Sequence, residues 1–173
     1  MNIEIQLNDC EIEIGTSVAK QRYYTNRKNN TKYLSINQKT EADRISTDVE
    51  GVLSELAFCK IAQIYPDEVF RLGYTSKKNG GDVGDAFYKD KAIDVKSTKT
   101  EKGRLLSMFD NVKIDYYVLM IGEKGKYRLA GLMDRETLCN EKRWGHHGVF
   151  KRPCYKAEQD ELISWFDFVK TIS

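Results

Sequence analysis

Between Gly51 and Ala62 the chain reads Gly-Val-Leu-Ser-Glu-Leu-Ala-Phe-Cys-Lys-Ile-Ala, a stretch that is apolar on nearly every side of a helix. Such a helix is a core element, and the rest of the chain has to fold around it. Thr47 followed three residues later by Glu50 has the form of a capping box, which predicts a start at about Asp48, and Tyr65-Pro66 predicts a stop near Ile64. On the helical wheel Glu55 falls among Val52, Phe58, Cys59 and Ala62. A carboxylate in that arc is costly unless a metal, a lysine or a hydrogen-bonding partner compensates it, and a metal site is the favoured expectation. Glu50 is read as a cap.

Downstream, a short strand is expected from Val69 to Tyr74, then turn material at Lys77-Lys78-Asn79-Gly80-Gly81. Asp85-Ala86-Phe87-Tyr88 and Ala92-Ile93-Asp94-Val95-Lys96-Ser97-Thr98 read as the two strands of a hairpin around Lys89-Asp90-Lys91. Residues two apart in a strand share a face, so Asp94 and Lys96 project together while Ile93 and Val95 anchor the other side. Asp85, at the start of the partner strand, then comes close to Asp94 across the hairpin. Two close carboxylates repel unless a cation lies between them. Oxygen ligands suit Mg²⁺ or Mn²⁺, and a lysine on the same face would orient or deprotonate water, or stabilise charge building on a phosphate. Asp82 competes with Asp85 as the first acid. Further strands are expected at Tyr116 to Ile121 and Arg128 to Met133, a short helix from Asp134 to about Cys139, and an apolar tail, Leu162 to Val169, docking on the core.

Ahead of the core helix, Glu11 to Arg27 reads as another helix carrying Lys20-Gln21-Arg22-Tyr23-Tyr24 and Arg27-Lys28, ending at the turn Asn29-Asn30. Cations interleaved with tyrosines suit phosphates and bases, and equally a solvated helix face. The 173 residues fit one globular unit, in which 1–46 form a helical, basic extension packed on a domain of 47–173. Cys10, Cys59, Cys139 and Cys154 are widely spaced with no CxxC pair, which argues against a zinc ribbon and a disulfide framework and predicts reduced, mostly buried thiols. His146-His147 is read as a loop feature. The net charge of +2 is silent about polyanionic partners. Met1-Asn2-Ile3-Glu4 opens no signal or transit peptide, so a cytoplasmic, non-membrane protein is expected.

The segments Gly51-Val52-Leu53-Ser54-Glu55-Leu56-Ala57-Phe58, Gly84-Asp85 and Ile93-Asp94-Val95-Lys96-Ser97-Thr98 resemble the PD-(D/E)XK nucleases, more narrowly their compact phage-borne members. Tyr117 to Gly122 and Tyr127 to Leu132 extend the likeness. The resemblance implies an α/β (α+β) fold with a restriction-endonuclease-like core, a central mixed β-sheet flanked by helices. It also implies an Mg²⁺- or Mn²⁺-dependent nuclease, phage or prophage encoded, acting on DNA ahead of RNA. Asp85 and Asp94 would be metal ligands, Glu55 would complete the site directly or through water, and Lys96 would be the catalytic lysine. Arg104 would contact a phosphate; Lys99 is a further candidate for substrate contact, as are Arg22 and Arg27 from the cation–tyrosine pattern of the first helix. Gly84 stands where the motif's name has proline. Roughly twenty residues separate Lys96 from the next clear strand, limited room for a crossover helix, so the strand order stays open. A homodimer is compatible with all of this. The rival readings are an RNA-cutting enzyme, or a module on the same fold that binds nucleic acid or inhibits a host protein.

Overall fold

The strand Tyr116–Glu123 is covered on both sides, and the layering of the molecule follows from it. The computed structural model describes residues 3–28, 40–66, 68–70, 83–148 and 152–172. In chain order the elements are β1 (Ile3–Gln6), α1 (Asp9–Lys28), α2 (Glu41–Ala62), β2 (Ala86–Tyr88), β3 (Lys91–Thr98), β4 (Leu105–Ser107), β5 (Tyr116–Glu123), β6 (Lys126–Asp134), α3 (Arg135–Leu138), β7 (Trp144–Gly145), β8 (Cys154–Ala157) and α4 (Trp165–Thr171). The central sheet has the order β1-β6-β5-β3-β2, antiparallel except for the parallel β3–β5 pair. It is therefore a mixed sheet with helices, as expected. A second sheet, β4-β8-β7, is antiparallel throughout.

Alternation along β3 and β5 divides the core in two. Ile93, Val95, Val118 and Met120 face α2, with Leu53, Ala57, Phe58 and the α4 residues Trp165 and Phe168. Tyr117, Leu119 and Ile121 face the other way, onto Leu105 and Ala157 of the second sheet and Leu138 of α3. The connection from β3 to β5 contains β4 where a helix would be the usual crossover, which resolves the strand order left open by the short spacing.

α2 begins two turns earlier than its sequence pattern predicts. Thr40 is the cap: its Oγ1 accepts the Asp43 N–H at 3.1 Å and its own N–H donates to Asp43 Oδ2 at 2.9 Å. Thr47 sits inside the helix, its hydroxyl donating to the Asp43 carbonyl, and Glu50 caps nothing. Glu50 instead accepts the Lys124 N–H and the Tyr127 hydroxyl, tying the helix to the β5–β6 turn. The helix ends at Ala62 with Gln63 in the left-handed region, ahead of Tyr65-Pro66. It runs through residue 46, and β1 brings the N-terminal segment into the central sheet beside β6. Gly15 of α1 lets the two helices approach closely, since a Cβ there would lie 2.7 Å from Leu53 Cδ2.

The hairpin forms as predicted, except that its turn is Lys89-Asp90 and Lys91 already pairs with Tyr88. Residues 68–70 are a turn where the strand from Val69 was expected. The remainder of that strand, the turns at Asn29-Asn30 and Lys77 to Gly81, and Asp82 lie outside the described residues. The tail does dock, as the seven-residue α4. Trp165 packs on Phe58 of α2 and Tyr88 of β2 at ring distances of 5.6 and 4.9 Å, and Phe168 packs on Tyr116 of β5 at 4.8 Å. Burying two such rings, roughly 2–3 kcal/mol each, offsets the entropy of ordering so short a helix. It also clamps the hairpin against α2. Among the described residues no helix is long and apolar enough to cross a membrane.

Candidate active site

The β3 alternation sets Asp94 and Lys96 on the face shared with Tyr117 and Leu119, their partners in the parallel register. Lys96 Nζ lies 2.6 and 2.7 Å from the two Asp94 carboxylate oxygens. Burial works against the Lys96 ammonium, but the charges of Asp94 and Asp85 outweigh it and raise its pKa, so the lysine is held protonated.

Asp85 is fixed by backbone. Its N–H donates to Ile93 O at 2.8 Å, and its Oδ2 accepts the Val95 N–H at 2.8 Å, so the carboxylate is pressed against the segment that carries Asp94. Gly84 permits this approach. Its φ of +105° is one that L side chains rarely adopt, and a Cβ there would stand 2.9 Å from Ile93 O. Proline, locked near −65°, is incompatible with that conformation.

Glu55 comes from α2 and is buried. The partner it requires is Arg22 of α1, whose Nη1 lies 3.0 Å from Glu55 Oε2, while Nη2 donates to the Glu68 and Val69 carbonyls at 3.1 and 2.5 Å. Burial pushes the Glu55 carboxyl up to about 7, with Arg22 pulling it down and Asp94 pushing it further up. Burial, then the charges of Glu55 and Asp94, raise Asp85 well above the ordinary carboxyl value. Burial and then Glu55 and Asp85 lift the Cys59 thiol to about 12, so this cysteine is no nucleophile. Three acids thus share one neighbourhood, with one lysine and one arginine among them.

Asp85, Asp94 and Glu55 are an oxygen donor set whose chemistry fits a hard divalent cation. As placed, Asp94 is engaged by Lys96 and Glu55 by Arg22, and among the described residues no three His, Cys, Asp or Glu side chains are gathered as a metal-holding group. The remaining candidates lie apart from this cluster's bonds. Arg104 pairs with Glu158 at 3.1 Å, Lys99 pairs with Glu123 at 3.1 Å, and Arg27 is an exposed residue of α1. Arg22, whose side chain is 22% exposed, is engaged by Glu55 and by two backbone carbonyls of the turn after α2. His147 Nε2 lies 3.1 Å from Arg143 O, which makes it a loop contact at the second sheet. All four cysteines are free, with Cys10 exposed and Cys59 and Cys154 buried. Residue order does not point to Arg22 as the partner of Glu55, nor to Tyr117 beside Asp94; the only signal for the first is the unbalanced charge of Glu55 itself. No family model, curated protein or solved structure matches the chain.

Proposed function

We propose that the chain is a metal-dependent nuclease built on a restriction-endonuclease-like core, hydrolysing phosphodiester bonds in DNA. The observation that supports this reading is that the β2–β3 hairpin brings Asp85 against the strand that carries Asp94 and Lys96, with the buried Glu55 near enough to feel the Asp94 charge. Burial first, and then neighbouring negative charge, raises the Glu55 and Asp85 carboxyls above their ordinary range, a cost that a divalent cation would relieve. Mg²⁺ or Mn²⁺ would be held by Asp85 and Asp94, with Glu55 directly or through water, and when bound would polarise the phosphate and acidify a water. Lys96, held protonated, is suited to hydrogen-bond a phosphate oxygen and stabilise the negative charge that builds on it. This role fits its raised pKa better than proton abstraction does. Arg22 holds Glu55 in place and neutralises it until a ligand arrives.

A second reading is favoured by the two closed ion pairs, Lys96–Asp94 and Arg22–Glu55. Acids satisfied in this way suit a module that binds nucleic acid or a host protein on the same fold without cutting. The deciding experiment incubates the purified protein with labelled single-stranded, duplex and branched DNA and with RNA, in Mg²⁺, Mn²⁺ or EDTA. Cleavage that needs the metal and fails in Asp94→Asn supports the nuclease. Equal Mn²⁺ affinity of the wild type and Asp94→Asn by calorimetry would remove the metal site.

A further inference from the structure

Beyond Ile93 one edge of β3 is open, because β2 pairs only with residues 91–93. Alternation decides which backbone groups point out of that edge. Ala92 is turned toward β5, since its N–H donates to the Asp115 carboxylate and its carbonyl accepts the Asp115 N–H just ahead of that strand. Ile93 and Val95 are turned the other way: the Ile93 carbonyl accepts the Asp85 N–H, and the Val95 N–H donates to Asp85 Oδ2, both at 2.8 Å. The next outward donor is the Ser97 N–H, about 6.6 Å further along the strand. Among the described residues nothing binds it, and nothing binds the Ser97 hydroxyl.

The Ser97 side chain is exposed and projects from β3 on the α2 side, as Ile93 and Val95 do. There it lines a recess of about 440 Å³ together with Ser46, Thr47 and Glu50 of α2 and with Lys99. Lys99 is shared with Glu123, and the Glu50 carboxylate accepts the Lys124 N–H and the Tyr127 hydroxyl, so net charge does not select the occupant. Unsatisfied donors do. The neighbouring donor on the same edge, the Val95 N–H, already holds the oxygen of an anion, Asp85. A phosphate oxygen is an acceptor of the same kind, and a backbone N–H beside a serine hydroxyl is a phosphate-holding pair that reads no base. Beyond Asp85 the outward groups of this edge are those of Ser97 and the Val95 carbonyl, too few for an added peptide strand to pair with.

We propose that Ser97, through its N–H and its hydroxyl, holds a non-bridging oxygen of the substrate phosphate adjacent to the one that is cut. This rests on the nuclease reading and adds how the substrate strand is gripped. The test follows the Ser97 amide by NMR, in EDTA and low salt, while inorganic phosphate or a 5′-phosphorylated thymidine dinucleotide is added to the full chain. Both should displace the Ser97 signal saturably, the dinucleotide at lower concentration. Loss of a hydroxyl bonded to a charged oxygen should weaken both about tenfold in Ser97→Ala, whereas Ser97→Thr keeps the wild-type affinity. A silent Ser97 amide, a displacement that sodium chloride reproduces, or equal affinity in Ser97→Ala overturns the site, and saturation by inorganic phosphate alone overturns the contact with a strand. In Mg²⁺, Ser97→Ala should raise KM on labelled DNA about tenfold and lower kcat far less. Working first without metal separates the two readings. A responsive Ser97 in a protein that never cleaves would sink the nuclease and keep the phosphate contact, whereas Lys96-dependent cleavage with a silent Ser97 would do the reverse.

Discussion

The two ion pairs of the candidate site solve the problem of an acid drawn out of water in different ways. Arg22 and Glu55 are 33 residues apart, join two helices, and the arginine also holds two carbonyls of the turn after α2. Asp94 and Lys96 are two residues apart on one strand, and the lysine side chain is 37% exposed. The first pair cannot open without disturbing how α1, α2 and residues 68–69 meet. The second can open by rotating one side chain, because the bond joins two neighbours on a strand that its own ladder already holds. A ligand that competes for carboxylates would therefore take Asp94 first, and Lys96 would be the group set free.

Breaking the local pair gives the largest expected effect, and it falls on turnover. Lys96→Ala should lower kcat on labelled DNA about a hundredfold or more, some 2.7 kcal/mol in transition-state free energy, with affinity for DNA and unfolding midpoint changed far less. Full turnover in this variant would reduce the lysine to a neutraliser of Asp94.

Breaking the long-range pair should instead cost stability. Removing one partner of a buried pair typically costs about 3–5 kcal/mol, but Arg22 is partly exposed and Glu55 can take up a proton, so Arg22→Met is expected to cost about 2 kcal/mol at pH 8. The pH dependence has a definite sign. Glu55 has a folded pKa raised to about 7 from an ordinary 4.5, so the folded state binds the proton more tightly than the unfolded. Its contribution to stability is greatest below the unfolded value, declines as pH rises toward 7, and is level above that. Without Arg22 the decline continues to higher pH, and in Glu55→Gln it disappears. Urea unfolding of the three proteins at pH 5 and pH 8 measures this, and identical pH profiles would show that Glu55 does not titrate as its burial requires.

The same contrast explains what could be read from residue order. The hairpin and the shared face of Asp94 and Lys96 were legible because alternation is a local property of a strand. The start of α2 was not, because Thr40–Asp43 and Thr47–Glu50 both satisfy the capping pattern. What decides between them is Glu50 binding Lys124 and Tyr127, far along the chain. β1 did carry a signal, Ile3 and Ile5 alternating with Glu4 and Gln6, but four residues are too few to distinguish from chance. That Glu55 needed a counter-charge was evident from its helical position, whereas the choice of Arg22 came from the packing of α1 on α2. The second sheet was invisible, since β4 and β7 are three and two residues long.

Gly84 connects the two kinds of organisation, because it aims Asp85 at the local pair through a backbone conformation. Gly84→Ala should destabilise the protein by about 1 kcal/mol or slightly more, the cost of a side chain held at positive φ, and Gly84→Pro by more. Cleavage should fall further than stability, since the Asp85 carboxylate follows directly on the strained residue. Calorimetric unfolding beside a cleavage assay checks this, and an alanine variant equal to the wild type in both would show that the turn can relax.

The smallest effects belong to the exposed pairs, Arg104–Glu158 and Lys99–Glu123, where every side chain is more than 40% exposed. Water and salt screen such pairs, so Arg104→Ala and Lys99→Ala should each shift unfolding by about 0.5 kcal/mol or less. Their glutamates hold them so weakly that a phosphate could replace the carboxylate at little cost, which is what a substrate contact requires. The measurement that separates a substrate cation from a surface pair is the salt dependence of DNA binding. Removing one cation that neutralises a phosphate makes the slope of log K against log salt shallower by about 0.7–0.9. If Arg104 contacts substrate, its removal reduces the slope by that amount while kcat at saturating DNA is unchanged, the opposite of the Lys96 signature. A slope identical to that of the wild type would assign Arg104 to Glu158 alone and confine recognition to the cations nearer β3.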